Sequence, residues 1–293
     1  MPVRRIAEEP ASRLAIWARR IASFSLPVAL LAVVIARAGL LEIVPVLATF
    51  AASLVMAVIA ILLALASLIG IWRHGTEGLG AALSAILIGV ALLAYPSYLA
   101  VRAARLPEIS DITTDPIDPP RYERIAQLRS REANPIAYAG LYAAQQQKAA
   151  YPDVVPLETD ASAQATYDAA KAAIAKRHWQ VVNDRPPMPP QPQQGLPARD
   201  GYIEAVARTL IMGFRDDVAV RIRAVGDGAR VDVRSSSRYG RADFGTNAKR
   251  IRALLDDVED LADEEKPEVP ERPVPKVKQP PQQQAKPTQK PKR

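Results

Sequence analysis

The chain has 293 residues, a formal net charge of +7 and no cysteine, so disulfides, thiolate metal sites, lipoprotein anchoring and cysteine nucleophiles are excluded together. Only two histidines exist, His74 and His178, which rules out a multi-histidine metal site. The positive charge is not a nucleic-acid signal, because Lys266–Arg293 alone holds eight Lys or Arg against two Glu and the rest of the chain is close to neutral.

Three apolar stretches fill the first hundred residues: Ile21–Ala36, Ile43–Trp72 and Gly78–Val101. The second and third carry no charged side chain and exceed the roughly 20 residues a helix needs to span a bilayer; the first is shorter and stops at Arg37. They predict an integral membrane protein with three crossings. Arginines are biased toward one side: Arg4, Arg5, Arg13, Arg19, Arg20 and Arg73 against Arg37, Arg102 and Arg105. That bias predicts a cytoplasmic N-terminal segment (1–20), helices within 21–101, and a polar part outside the inner membrane, in the periplasm. Ala36-Arg37-Ala38 also fits a signal-peptide cleavage site, after which two crossings would leave the polar part on the same side. Trp72 and the Tyr95/Tyr98 pair are placed as interfacial anchors, and Pro27, Pro45 and Pro96 near helix starts or ends. The apolar stretches contain no ionisable residue in their interiors, which favours an anchor over a transport pathway.

Residues 102–152 read as an extended linker with short helices. Prolines 107, 116, 119 and 120 favour extended chain over Leu106–Arg121, followed by short helices at Tyr122–Glu132 and Ala137–Ala150. The compact domain is placed at 153–265. Its predicted order is a strand at Val154–Leu157, a helix capped by Thr159 or Asp160 and running to Arg177, and a strand at Trp179–Asn183. A proline-rich loop, Arg185–Pro197, leads to strands at Tyr202–Ile211, Phe214–Ala224 and Arg230–Arg238, then a helix at Thr246–Leu261 capped by Asp243 or Thr246. This order predicts an α+β domain, an antiparallel sheet with helices on one face. Residues 266–293 read as a disordered Pro/Lys/Gln-rich tail.

The elements Phe214-x-Asp216-Asp217-Val218, Arg234-Ser235-x-Ser237-Arg238-x-Gly240 and Asp243-x-Gly245-x-Asn247-x-x-Arg250 resemble the family called domain of unknown function 1499. The segment ISDITTDPIDPP at 109–120 and Tyr151-Pro152-Asp153 are similar to its long, membrane-anchored branch. Shorter members carry a Ser-Pro-Asn-Cys element that this cysteine-free chain lacks, so no redox or metal chemistry follows from it. The resemblance implies a fold grouping and no mechanism.

Val225-Gly226-Asp227-Gly228 is a hairpin turn, with Gly226-Asp227 or Asp227-Gly228 as the two-residue loop. Either register puts Val218, Val220, Ile222, Val231 and Val233 on one face, the core, with Asp216, Ser235 and Ser237 at its open end. A core-face carboxylate needs partners, and Ser235, Ser237 and Asn247 are the expected structural polar network. The alternative is a hydrolase site with Ser235 or Ser237 as nucleophile and Asp216 as acid or base. The opposite face collects Arg215, Asp217, Arg221, Arg223, Arg230, Asp232, Arg234 and Arg238. It reads either as a solvated face with cross-strand pairs such as Asp232 with Arg221 or Arg223, or as an anion-binding face of Arg221, Arg223, Arg234 and Arg238. The expected partners are the bilayer, an anionic lipid or cell-wall glycan, or an envelope protein; neither nucleic acid nor a cofactor is expected. His178-Trp179 fits a strand start with a half-buried Trp, or a ligand-stacking pair. The leading reading is a membrane-anchored envelope protein that binds without catalysis. The rivals are the hydrolase and a structural membrane assembly factor.

Overall fold

The computed structural model describes residues 10–190 and 197–264. Arg4, Arg5, the 266–293 tail and part of the proline-rich loop therefore lie outside the described residues. Three long helices come first: α1 (Arg13–Ala38), α2 (Ile43–His74) and α3 (Leu79–Arg105), each long and apolar enough to cross a membrane. They extend past the apolar stretches at both ends or one, which leaves Pro27 and Pro96 inside helices rather than near their ends. Their seam is built from small side chains: Ala15, Ala18, Ala22, Ala60, Ala64, Ala82 and Ala85 are all fully buried. A Cβ on Gly89 would lie 2.7 Å from Ile61 Cγ1. Small residues let helix backbones approach in a solvent where burying apolar surface provides no drive. Buried Ser25, Ser53 and Ser67 each donate to a carbonyl three residues back, so these hydroxyls are satisfied within their own helices. Trp72 and Tyr95/Tyr98 remain exposed at opposite ends of the bundle.

The polar part is a six-stranded, wholly antiparallel sheet with its two long helices packed on one face, as its element order predicts. The strands are β1 (Asp111–Thr113), β2 (Leu157–Thr159), β3 (Gln180–Arg185), β4 (Gly201–Arg208), β5 (Arg215–Val225) and β6 (Gly228–Ser237). Their order is β1-β6-β5-β4-β3, and β2 shares the outer side of β6 with β1. Between them come α4 (Ile125–Leu128), α5 (Gly140–Ala150), α6 (Ala163–Lys176) and, last, α7 (Thr246–Glu264). The β5–β6 register pairs Val225 with Gly228, so the loop is Gly226-Asp227, with Gly226 at φ 59° where a side chain would be strained. Val218, Val220, Ile222, Val231 and Val233 then face α6 and α7, packing with Ile174, Ile251, Leu254 and Val258 in one core. Trp179 packs at the edge of that core, under Arg177, at the start of β3.

Three local readings change. The α6 cap is Ser162, whose Oγ accepts from Ala165 N at 3.2 Å, while Thr159 ends β2 and its hydroxyl accepts from Ala161 N. The helix expected at Tyr122–Glu132 shrinks to the four residues of α4. The largest change concerns residues 102–152, which are not a free linker: β1 pairs with the far end of β6, and residues 114–136 lie across the face of the sheet opposite α6 and α7. Tyr122 and Ile125 pack there on Tyr202, Val206 and Ala219. The Glu204 carboxylate on β4 caps α4 from outside the helix, accepting from the backbone N–H groups of Glu123, Arg124 and Ile125. A proline-rich segment has no periodicity, so its pairing with a strand more than a hundred residues later leaves no trace in the local pattern.

Candidate functional site

The four arginines expected to form an open basic surface do not share one. Arg234 and Arg238 are 3% and 4% exposed, beneath the 114–136 segment. Arg234 grips Asp111 with two parallel bonds of 3.0 and 2.6 Å, donates to the carbonyls of Pro120 and Ile136, and lies over the ring of Tyr122. Arg238 holds Asp217 through three bonds of 2.7–3.1 Å, and Arg129 reaches the same carboxylate from α4's end at 2.7 Å. Buried charges need such partners, since desolvation otherwise dominates. Burial pushes the Asp111 carboxyl up, with Arg234 opposing.

Nearer the hairpin, Arg221 and Arg223 join Arg230 around Asp232, which faces Arg221 in the register. Asp118 takes a 2.8 Å bond from Arg221, and Asp115 lies 3.3–3.5 Å from all three guanidiniums. Three arginines thus meet three aspartates, two of them contributed by the strap that residues 114–136 form across the sheet. The cross-strand pairing of Asp232 is as the hairpin predicts; the strap's carboxylates are what sequence reasoning missed.

On the core face, Asp216, Ser235, Ser237 and Asn247 do come together. Ser235 Oγ donates to Asn247 Oδ1 at 2.8 Å, and Asn247 Nδ2 donates to Ser237 Oγ at 3.1 Å and to the carbonyl of Ser110. A fifth member, Arg250, completes the corner: it donates to Asp216 at 2.5 Å, to Ser235 Oγ at 3.0 Å and to Asn247. Arg250 lies three residues after Asn247, one helical turn on, so α7 aims both at the sheet. Asp243 anchors the start of that helix, accepting from Gly245 N and Asn247 N at 2.8 Å each. Burial raises the Asp216 carboxyl above its usual range, against Arg250 and the Ser237 hydroxyl. Ser235 is fully buried, with Asn247 and Arg250 on its hydroxyl, and Arg250 stands on Asp216. The arrangement can fix the β5–β6–α7 corner. A nucleophilic serine would instead need an open approach and a base free to accept its proton.

A third constellation lies where the sheet meets the helices. The α1–α2 turn, the 130–132 segment and the ends of β4 and β5 enclose an open cavity of about 450 Å³. Arg208 and Arg215, both exposed, are direct register partners across β4 and β5, and both line it with Arg37 and Arg131. Among the described residues, Arg131, Arg208 and Arg215 have no carboxylate partner; Arg208 reaches only the carbonyl of Arg37. Glu42 and Glu132 line the same cavity but share a hydrogen bond with each other, which chiefly holds Glu132 above its ordinary range. Phe214 and Tyr239, edge to face at 6.5 Å, supply the aromatic part of the wall. The one sequence signal for this site is that two arginines bracket a short turn, Arg208 before and Arg215 after, which forces them opposite.

No curated protein and no solved structure matches this chain. The family described as protein of unknown function (DUF1499) matches residues 111–258. That match begins at β1 and ends in α7, taking in the sheet, the strap and the polar corner, and the chain belongs to that family.

Proposed function

We propose that the protein is a membrane-anchored envelope protein whose α+β domain, on the outer side of the cytoplasmic membrane, binds an anionic component and catalyses no reaction. The arginine bias along the chain supports that orientation. One observation carries the binding role: among the described residues, Arg131, Arg208 and Arg215 stand without a carboxylate partner around a cavity at the anchor–domain junction, while the other sheet arginines have one. Guanidinium groups aimed together recognise phosphate or carboxylate through paired N–H donors. Burial of Ser235 and engagement of Asp216 by Arg250 support a structural role for the core-face corner over the hydrolase alternative.

The test is binding of heparin, a soluble polyanion, to the purified full chain at low and high salt. The expected result is salt-sensitive binding, lost in Arg131→Ser/Arg208→Ser/Arg215→Ser and retained in Arg241→Ser, an exposed arginine outside the cavity. Equal binding by both variants sinks the reading.

A further inference from the structure

The junction cavity has a property that a general anion site does not require: its wall includes exposed apolar side chains from the turn between two membrane helices. Leu40 and Leu41 in the α1–α2 turn are 71% and 55% exposed, and Leu210 in the β4–β5 turn is 90% exposed. That second turn is fastened to the end of a membrane helix. Arg37 donates to the carbonyl of Leu210 at 2.6 Å and of Ile211 at 3.3 Å. Gly213, at φ 68°, lets the turn close against Arg37, whose Cγ would lie 2.9 Å from an added Cβ. The turn is therefore held at the depth where α1 leaves the bilayer. Water is a poor environment for exposed leucines on two turns tied together this way, whereas the headgroup–acyl boundary accommodates them.

Behind the leucines, the Arg208–Arg215 pair poses an electrostatic problem. Like charges directly opposite on neighbouring strands repel and destabilise the sheet. The two carboxylates that line the cavity, Glu42 and Glu132, approach each other, and among the described residues neither forms an ion pair that gives Arg208 or Arg215 a bonded counter-charge. A phosphate diester between the forks would supply that charge, and its acyl chains would run past Leu40, Leu41 and Leu210 into the membrane.

We propose that an anionic phospholipid of the same bilayer seats its phosphate between Arg208 and Arg215, with the β4–β5 turn inserted at the headgroup–acyl boundary. This rests on the reading that the junction arginines bind an anion, and it names the ligand and its source. A soluble glycan presents the same charge but gives the leucines no apolar partner.

Two measurements on the full chain test it. The first places the chain in bilayer nanodiscs of phosphatidylcholine with phosphatidylglycerol and counts the lipids retained on detergent extraction by native mass spectrometry. The parent should retain phosphatidylglycerol preferentially, by roughly fivefold per arginine engaged. Arg208→Ser/Arg215→Ser should lose that preference and Arg241→Ser should keep it. The second uses the absence of cysteine: a spin label on Leu210→Cys has a unique attachment point. The label should be shielded from a water-soluble relaxation agent and reached by oxygen, unlike a label on Arg241→Cys. A preference unchanged by Arg208→Ser/Arg215→Ser, or a label at 210 as open to the aqueous agent as one at 241, overturns the proposal. Heparin binding that depends on the junction arginines, without lipid preference, removes the lipid and leaves the anion-binding reading standing. Loss of both removes both.

Discussion

On the outer face of the sheet, Arg234 and Arg238 lie under the 114–136 strap, each against an aspartate. At the end of the same sheet nearest the anchor, Arg208 and Arg215 face each other, and among the described residues neither has a carboxylate partner. The strands alternate identically in both places, so strand position alone does not decide what an arginine is for. What differs is the second layer. Where β1 and the strap cross, they bring Asp111, Asp115 and Asp118 to the guanidiniums and bury Arg234 and Arg238; at the junction the neighbouring surface is the turn between two membrane helices. Buried arginines of the first kind are bonded into the fold, and exposed ones of the second kind are those to which the proposed anion is assigned.

The comparison breaks most readily at Asp217. Asp217→Ala leaves both Arg129 and Arg238 buried without a counter-charge, and a loss of ~3–5 kcal/mol is expected, read by denaturant unfolding of the reconstituted chain. A loss below about 1 kcal/mol, the size of an exposed ion pair, means water reaches the pair and the strap does not seal it.

Arg250→Met sharpens the comparison on the other face. It strands Asp216 alone, with an expected cost of ~2–4 kcal/mol at neutral pH. Burial already raises this carboxyl above its ordinary 3.8, and removing Arg250 raises it further. A group whose folded pKa lies above its unfolded one contributes its stability fully below 3.8 and loses it as pH rises through the folded value. The deficit of Arg250→Met should therefore be least in acid and grow with pH. A pH-independent deficit assigns the loss to packing.

The smallest effect belongs to the junction. Arg208→Ser removes one of two like charges from a register pair, so stability should move by less than about 0.5 kcal/mol, toward stabilisation. A loss approaching that of Asp217→Ala would show that Arg208 is a structural arginine, and the contrast between the two regions would disappear.

Much of this was legible from residue pattern. The turn at Gly226-Asp227 and the alternation of valines set the β5–β6 faces, and from the faces follows the meeting of Asp216, Ser235 and Ser237. Asn247 joins them because the α7 stripe of Ile251, Leu254 and Val258 orients its first turn. Arg250 was hidden because its side chain enters the corner only once helix and sheet are docked. The strap was hidden for a stronger reason. Residues 114–136 carry prolines, no periodicity and few apolar anchors, and they are held by Glu204, Asp217 and Arg221, charged side chains about eighty to over a hundred residues away. Their place depends on non-local ion pairs, which no local spacing encodes.

The pairing of β1 with β6 has a consequence for how the protein is made. Asp111 follows directly on the third membrane helix, yet its partner Arg234 lies 123 residues later in the chain. At the usual pace of synthesis, ~5–20 residues per second, the ribosome needs on the order of ten seconds to supply that partner. During this interval the helix bundle can already be inserted while the strap beside it, with its arginines and aspartates still unmatched, waits at the membrane surface for a sheet that does not yet exist. The segment nearest the anchor can therefore take its place in the sheet only after the last strand has been made.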